Sequence, residues 1–199
     1  MNMKIVEMTL NEDAESQGVY AVSTVYSPAM EADWVALNKQ FVELKTMDEE
    51  KRLLIGAAMI PDKQIYRQDK KNGEYYIYFS KDTIRKASQV FLKRSNQNNA
   101  TYEHKREIDG MHVVESWIVE NSKIDKSAVH GFEFPEGTWM IAMKVDNDDV
   151  WSKVKAGEIK GFSIEGYFEA DNLQMSLQND ESIIEKIKSI LESNEKGNQ

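Results

Sequence analysis

A period of two in apolar and polar residues is the commonest pattern along this chain, and it predicts a β-rich fold. The first ten residues, with Ile5, Glu7 and Thr9 in alternation, predict a strand. Gly18 to Tyr26 predicts a second, stopped by Ser27-Pro28. Arg52 to Ile60 is an apolar strand ended by Pro61-Asp62, and Tyr75 to Phe79 comes after a polar turn at Gly73. Thr101 to His104 and His112 to Glu120 predict two strands joined by a charged turn with an Asp109-Gly110 hairpin signal. Thr138 to Val145 and Lys160 to Glu169 complete the set. Met30 to Lys45 stays open: Trp34, Leu37, Phe41 and Leu44 fit a helix, whereas Phe41 to Leu44 also fits a strand.

The period changes to helical in three places. Ser80 is a suitable N-cap with Asp82 in the first turn, and Ile84, Ala87, Ser88, Phe91 and Leu92 predict a helix to about Lys93. Asp146-Asn147-Asp148 supplies capping oxygens for a short helix with Val150, Trp151 and Val154 inward, closed by Gly157 as a left-handed cap. Near the end, Ile183, Ile184, Ile187, Ile190 and Leu191 form one apolar face of an amphipathic segment. The fold class expected is α+β: a mainly antiparallel, barrel-like β core with two or three flanking helices. Residues 1–17 are expected as an N-terminal strand and extension, 18–170 as the main domain, and 171–199 as a polar linker, amphipathic helix and disordered tail.

Composition narrows the chemistry. The 199 residues carry a net charge of −9, which argues against a nucleic-acid surface, since neutralising phosphates needs clustered Lys and Arg. No apolar run of membrane-spanning length occurs, so no membrane association is expected. The absence of cysteine excludes thiol catalysis, disulfides and thiolate metal sites. His104, His112 and His130 lack the helical i, i+4 spacing of common zinc motifs, and no glycine-rich phosphate loop is present. Neither a metal nor a cofactor is expected.

Against that background Lys160-Gly161-Phe162-Ser163-Ile164-Glu165-Gly166-Tyr167-Phe168 stands out, because a strand usually spends such a slot on Val or Ile. Alternation sets Phe162, Ile164, Gly166 and Phe168 on one face and Ser163, Glu165 and Tyr167 on the other. His104 closes a strand just before exposed Lys105-Arg106-Glu107. Glu115 falls on an apolar face with Val113, Trp117 and Val119, where an unpaired carboxylate would cost several kcal/mol. Together these residues offer a nucleophile, a base and an orienting acid, which a serine needs because its hydroxyl is too weakly acidic to attack unaided. Gly-x-Ser-x-x-Gly differs from the Gly-x-Ser-x-Gly elbow, so an α/β-hydrolase is a poor fit.

The ordered set Lys51 to Gly56, Met59-Ile60-Pro61-Asp62, Ile65-Tyr66-Arg67, Tyr102-Glu103-His104, Val114 to Val119, Pro135 to Met140 and Gly161 to Gly166 resembles the phage prohead (capsid-maturation) serine proteases of the XkdF-like type. The resemblance covers roughly Gly18 to Glu169. That family looks related to the herpesvirus assembly proteases, with a barrel-like core and a His-before-Ser order, which this chain shares. The resemblance implies Ser163 as nucleophile and His104 as general base. In the herpesvirus relatives the third member is a histidine after the serine, and no histidine occurs beyond Ser163 here. Glu115 is the expected third member, with Glu165 and Glu169 as competitors. Glu165, about 7 Å along the strand from Ser163, is expected to bind substrate. The implied substrates are phage scaffold and major capsid proteins, with self-cleavage included, inside the procapsid assembling in the bacterial cytoplasm. The rival expectation is a catalytically silent head protein that docks through its terminal helix.

Overall fold

A computed structural model describes residues 3–26, 45–48, 51–70 and 72–171. The expectations for Met30 to Leu44 and for the terminal amphipathic segment lie outside the described residues. The elements run β1 (Lys4–Thr9), β2 (Gly18–Val25), β3 (Lys45–Asp48), β4 (Leu53–Met59), β5 (Ile65–Asp69), β6 (Gly73–Phe79) and α1 (Lys81–Lys93). After a 3-10 turn at Asn96–Asn98 come β7 (Ala100–Tyr102), β8 (Arg106–Glu107), β9 (Met111–Ile118), α2 (Lys126–Val129), β10 (Trp139–Val145), α3 (Asp148–Lys155), β11 (Gly161–Tyr167) and β12 (Glu169–Asp171). The α+β class holds, with strands dominating and three helices among the described residues.

The strands form three four-stranded sheets, ordered β12-β1-β6-β5, β3-β4-β10-β9 and β11-β2-β7-β8. Most pairs are antiparallel; β1 with β6 and β2 with β7 are parallel. One core fills the space between the sheets, and its largest buried side chains include Trp139, Phe91, Leu54 and Met59. A smaller core of Ile55, Ala57, Met140, Ala142, Val119 and Phe132 covers the opposite face of the β4–β10 pair. Burial on both faces explains why Leu53–Met59 and Trp139–Met143 read as continuous apolar runs without alternation.

Local signals account for the helices. The Ser80 hydroxyl accepts the Thr83 amide at 3.4 Å at the start of α1, and Ile84, Ala87, Val90 and Phe91 turn into the core. Phe91 meets Trp139 edge-on, with 5.4 Å between ring centroids. The Asn147 side chain accepts the Asp149 and Val150 amides to open α3, and Gly157 lies just past its end at a φ of +72°.

The expected pairing of the segment ending at His104 with His112–Glu120 is not the one that forms. β7 turns back into the two-residue β8, while β9 joins β10 in a different sheet. Gly110, at a φ of +78°, instead turns the chain from one sheet to the other, and its carbonyl accepts the Asp146 amide at 2.7 Å.

Candidate active site

Strand β2 is the centre of the site. It pairs antiparallel with β11, setting Ser23 opposite Ser163, and parallel with β7, setting Ser23 beside Thr101. Direct partners in a ladder point to the same face, so Ser163, Ser23 and Thr101 make a row of three hydroxyls. Glu165, two residues beyond Ser163, shares that face. A register shift between Glu165 and Gly166 leaves Tyr20 as the extra residue on β2. Tyr20 stacks on Tyr167 with 5.6 Å between centroids.

His104 reaches this face from the turn between β7 and β8. Glu103 and His104 have φ values of +53° and +55°, and the Lys105 amide donates to the Tyr102 carbonyl at 3.0 Å. Two successive positive φ values are the signature of a type I′ hairpin turn, which usually carries Asn-Gly. Holding Glu and His there costs on the order of 1–3 kcal/mol per residue. Three hydrogen bonds offset it. The Glu103 amide donates to the Thr24 carbonyl at 3.1 Å, and the Glu103 carboxylate accepts the Tyr26 amide at 2.6 Å. The His104 amide donates to the Ser23 hydroxyl at 3.0 Å.

The result is a contact between His104 and Glu165. Imidazole Nδ1 lies 3.1 Å from Glu165 Oε1. An ionised carboxylate can only accept, so the contact is a hydrogen bond in the tautomer with the proton on Nδ1, which in the neutral imidazole leaves a lone pair on Nε2. The Thr101 hydroxyl donates to the same carboxylate oxygen. Glu165 is mostly shielded, with 16% of its side chain exposed, whereas the imidazole is 41% exposed. Burial first, and then the Glu165 charge, push the Tyr20 phenol above its ordinary range. His104, Glu165, Thr101 and Tyr20 line a polar cleft of about 420 Å³ that Lys105 and Arg106 also border.

Ser163 is 6% exposed and lines a different, apolar cavity of about 370 Å³. Its hydroxyl makes no hydrogen bond to a described residue. Ser23 is fully buried, and its oxygen lies 3.5 Å from the Thr101 carbonyl, so it is a fixed structural hydroxyl. Gly166 is small because a β-carbon there would come within 2.7 Å of the Gly18 carbonyl oxygen. The close approach is by the neighbouring strand.

Glu115 corrects the sequence expectation. The β9–β10 register shifts between Ala142 and Met143, with Glu115 opposite Ala142 and Val113 opposite Met143. Val114 is therefore an inserted residue, and a bulge reverses the facing of the residues beyond it. Val113 stays buried, while 47% of the Glu115 side chain is exposed and ion-paired to Lys126. The bulge parts Glu115 from Val113 and leaves it with Trp117 opposite Ala142, on the face of the smaller core but at its open edge, where the carboxylate is half exposed and paired. The structure gives Glu115 to Lys126 on the β9 sheet and Glu165 to His104. The third competitor, Glu169, accepts the Gln17 side-chain amide at 2.5 Å.

The remaining histidines have separate surroundings. His112 Nδ1 lies 2.9 Å from the Asn98 side-chain oxygen, and His130 ends α2. Among the described residues no group of three His, Asp or Glu side chains is placed to hold a metal ion, and no helix is long and apolar enough to cross a membrane. Ser23 and Thr101 carry no signal of their own in the sequence; only their alignment with Ser163 across two ladders marks them. No curated protein and no solved structure matches the chain. A family model does match, over residues 40–172, a span of about two thirds of the chain that includes His104, Glu115, Ser163 and Glu165. The chain thus belongs to the family described as "Putative phage serine protease XkdF".

Proposed function

We propose that the protein is a serine endopeptidase of phage head maturation, with Ser163 as nucleophile, His104 as general base and Glu165 as the orienting acid. The observation that carries this reading is the 3.1 Å contact between His104 Nδ1 and Glu165, on the sheet face that also bears Ser163. With Nδ1 engaged, Nε2 would take the Ser163 proton as Oγ attacks a peptide carbonyl, then return it to the departing amine. The Glu165 carboxylate would stabilise the imidazolium formed between those steps. Water would then hydrolyse the acyl-enzyme along the same route. Contacts of this kind commonly tighten only when substrate is bound, which accommodates the unengaged Ser163 hydroxyl. Scaffold and major capsid proteins within the assembling head, in the host cytoplasm, are the proposed substrates, and the chain itself is another.

The test is co-expression with a scaffold protein, with mass spectrometry of the products. Ser163→Ala and His104→Ala should each abolish processing while leaving the melting temperature nearly unchanged. Normal processing by both variants refutes the assignment. The near-complete burial of Ser163 favours a second reading, a catalytically silent structural head protein. Under it, wild-type protein would fail to react with a fluorophosphonate serine probe.

A further inference from the structure

The apolar cavity beside Ser163 is built by one face of the β12-β1-β6-β5 sheet, and its rows are graded in polarity. The ladders align Val6 of β1 with Ile77 of β6 and Ile65 of β5, and all three line the cavity. One step outward along the same strands, Lys4, Tyr75 and Arg67 form the next row. One step the other way lie Met8 and Phe79, with Phe168 edge-on to Phe79 at 4.8 Å between centroids. The cavity therefore has an apolar middle and end and a rim that carries two cations. Neither rim cation has a carboxylate partner among the described residues. The Arg67 guanidinium donates to the Tyr66 carbonyl at 3.0 Å, and the Tyr75 phenol is taken by Asp69. On a chain of net charge −9, two cations that flank Tyr75 in one row, without a carboxylate partner among the described residues, are a notable feature. Ser163 and Ile164 of β11 complete the wall.

We propose that this cavity is the side-chain subsite of the enzyme. It would take a large apolar side chain of an extended peptide, Leu, Met or Phe, whose neighbouring residue presents a carboxylate to Lys4 and Arg67. The inference rests on the protease reading and adds the substrate class to it. The volume of about 370 Å³ suits a large side chain and falls within the range of small-ligand pockets. Filling the Val6–Ile77–Ile65 row removes apolar surface from water, and the rim supplies charge complementarity where the peptide chain would enter. Because Ser163 and Ile164 of the edge strand β11 both line the cavity, a peptide with a side chain seated there would run along β11, past the nucleophile.

The experiment uses the full chain carrying Ser163→Ala, on an array of decapeptides that vary an apolar and an acidic position. Peptides with Leu, Met or Phe next to Asp or Glu should bind roughly 10- to 100-fold tighter than their Ala counterparts. Adding Ala170→Phe, a change at an exposed cavity-lining position, should erase the apolar preference. Ala170→Leu serves if the larger residue lowers the melting temperature. Lys4→Gln with Arg67→Gln should erase the acidic preference and keep the apolar one. A peptide ranking that is flat, or that none of these changes alters, overturns the subsite. Cleavage is read in parallel with the wild-type chain. Turnover lost in Ser163→Ala alongside a flat array removes only the subsite. Turnover that survives Ser163→Ala removes the protease reading, and the subsite's catalytic role with it.

Discussion

Replacing Glu165 by Gln keeps the size of the side chain and removes its charge, and so isolates the carboxylate's effect on His104. At the 3.1 Å separation of Nδ1 and Oε1, Coulomb's law gives roughly 1 kcal/mol at the dielectric of water and about 5 kcal/mol at an effective dielectric of about 20. The pair lies between these limits, since the imidazole is 41% exposed and the carboxylate 16%. An imidazolium in the transition state would then lose about 2–3 kcal/mol of stabilisation, or roughly 30- to 150-fold in rate. That is smaller than the loss of about 10⁴ seen when a fully buried triad acid becomes an amide, because water screens this histidine. The assay is the single-turnover rate of peptide cleavage, or of fluorophosphonate labelling at Ser163, with Glu115→Gln as the parallel control. Glu115 is an exposed partner of Lys126 in another sheet, so its change should alter the rate by less than about 2-fold. Full activity in Glu165→Gln, with a large loss in Glu115→Gln, would refute the assignment of the acid.

The contacts around the site and at α2 lead to three more expected outcomes. Ser23→Ala removes the acceptor of the His104 amide, and loss of this part-buried hydrogen bond should cost about 1 kcal/mol by urea unfolding. The same variant should lose activity, and restoration of both by Ser23→Thr would show that the hydroxyl positions His104. Gly166→Ala places a β-carbon 2.7 Å from the Gly18 carbonyl and 3.0 Å from Phe168, so the strands must part, at a cost of about 1–3 kcal/mol. An unchanged melting temperature would contradict that packing. Asp125 is a pH-dependent tie: burial raises its carboxyl, but hydrogen bonds from Ser127, the Glu120 amide and the Trp117 indole outweigh this and lower it overall. With the folded value below the unfolded one, near 3.9, the tie contributes fully above that pH and is lost as pH falls through the folded value. Asp125→Ala should therefore cost about 1 kcal/mol at neutral pH and progressively less in acid, which urea melts at pH 7 and pH 3 would resolve.

The helices and most strands are legible in the sequence because each depends on a few neighbouring residues. Ser80 with Asp82 starts α1, Asn147 with Gly157 bounds α3, and apolar runs mark β4 and β10 whichever way they pack. Features set by a partner strand are the misleading ones. Asp109-Gly110 has hairpin chemistry, yet the chain uses it to pass between sheets. The true hairpin turn is Glu103-His104, whose residues give no turn signal because Ser23, Thr24 and Tyr26 hold them in place.

The sequence by itself determined the class of fold, the strand that carries Ser163 and the family to which the chain belongs. Only the tertiary structure decided which acid meets His104. Glu115 and Glu165 have the same chemistry, and alternation favoured the former. A single inserted residue at Val114 turns Glu115 to the other face of β9, where it pairs with Lys126 at an open edge, whereas the β11–β2–β7 ladders bring Glu165 under the imidazole. Register is a property of pairs of strands, fixed by backbone hydrogen bonds between segments that, for β2 and β11, lie about 140 residues apart along the chain.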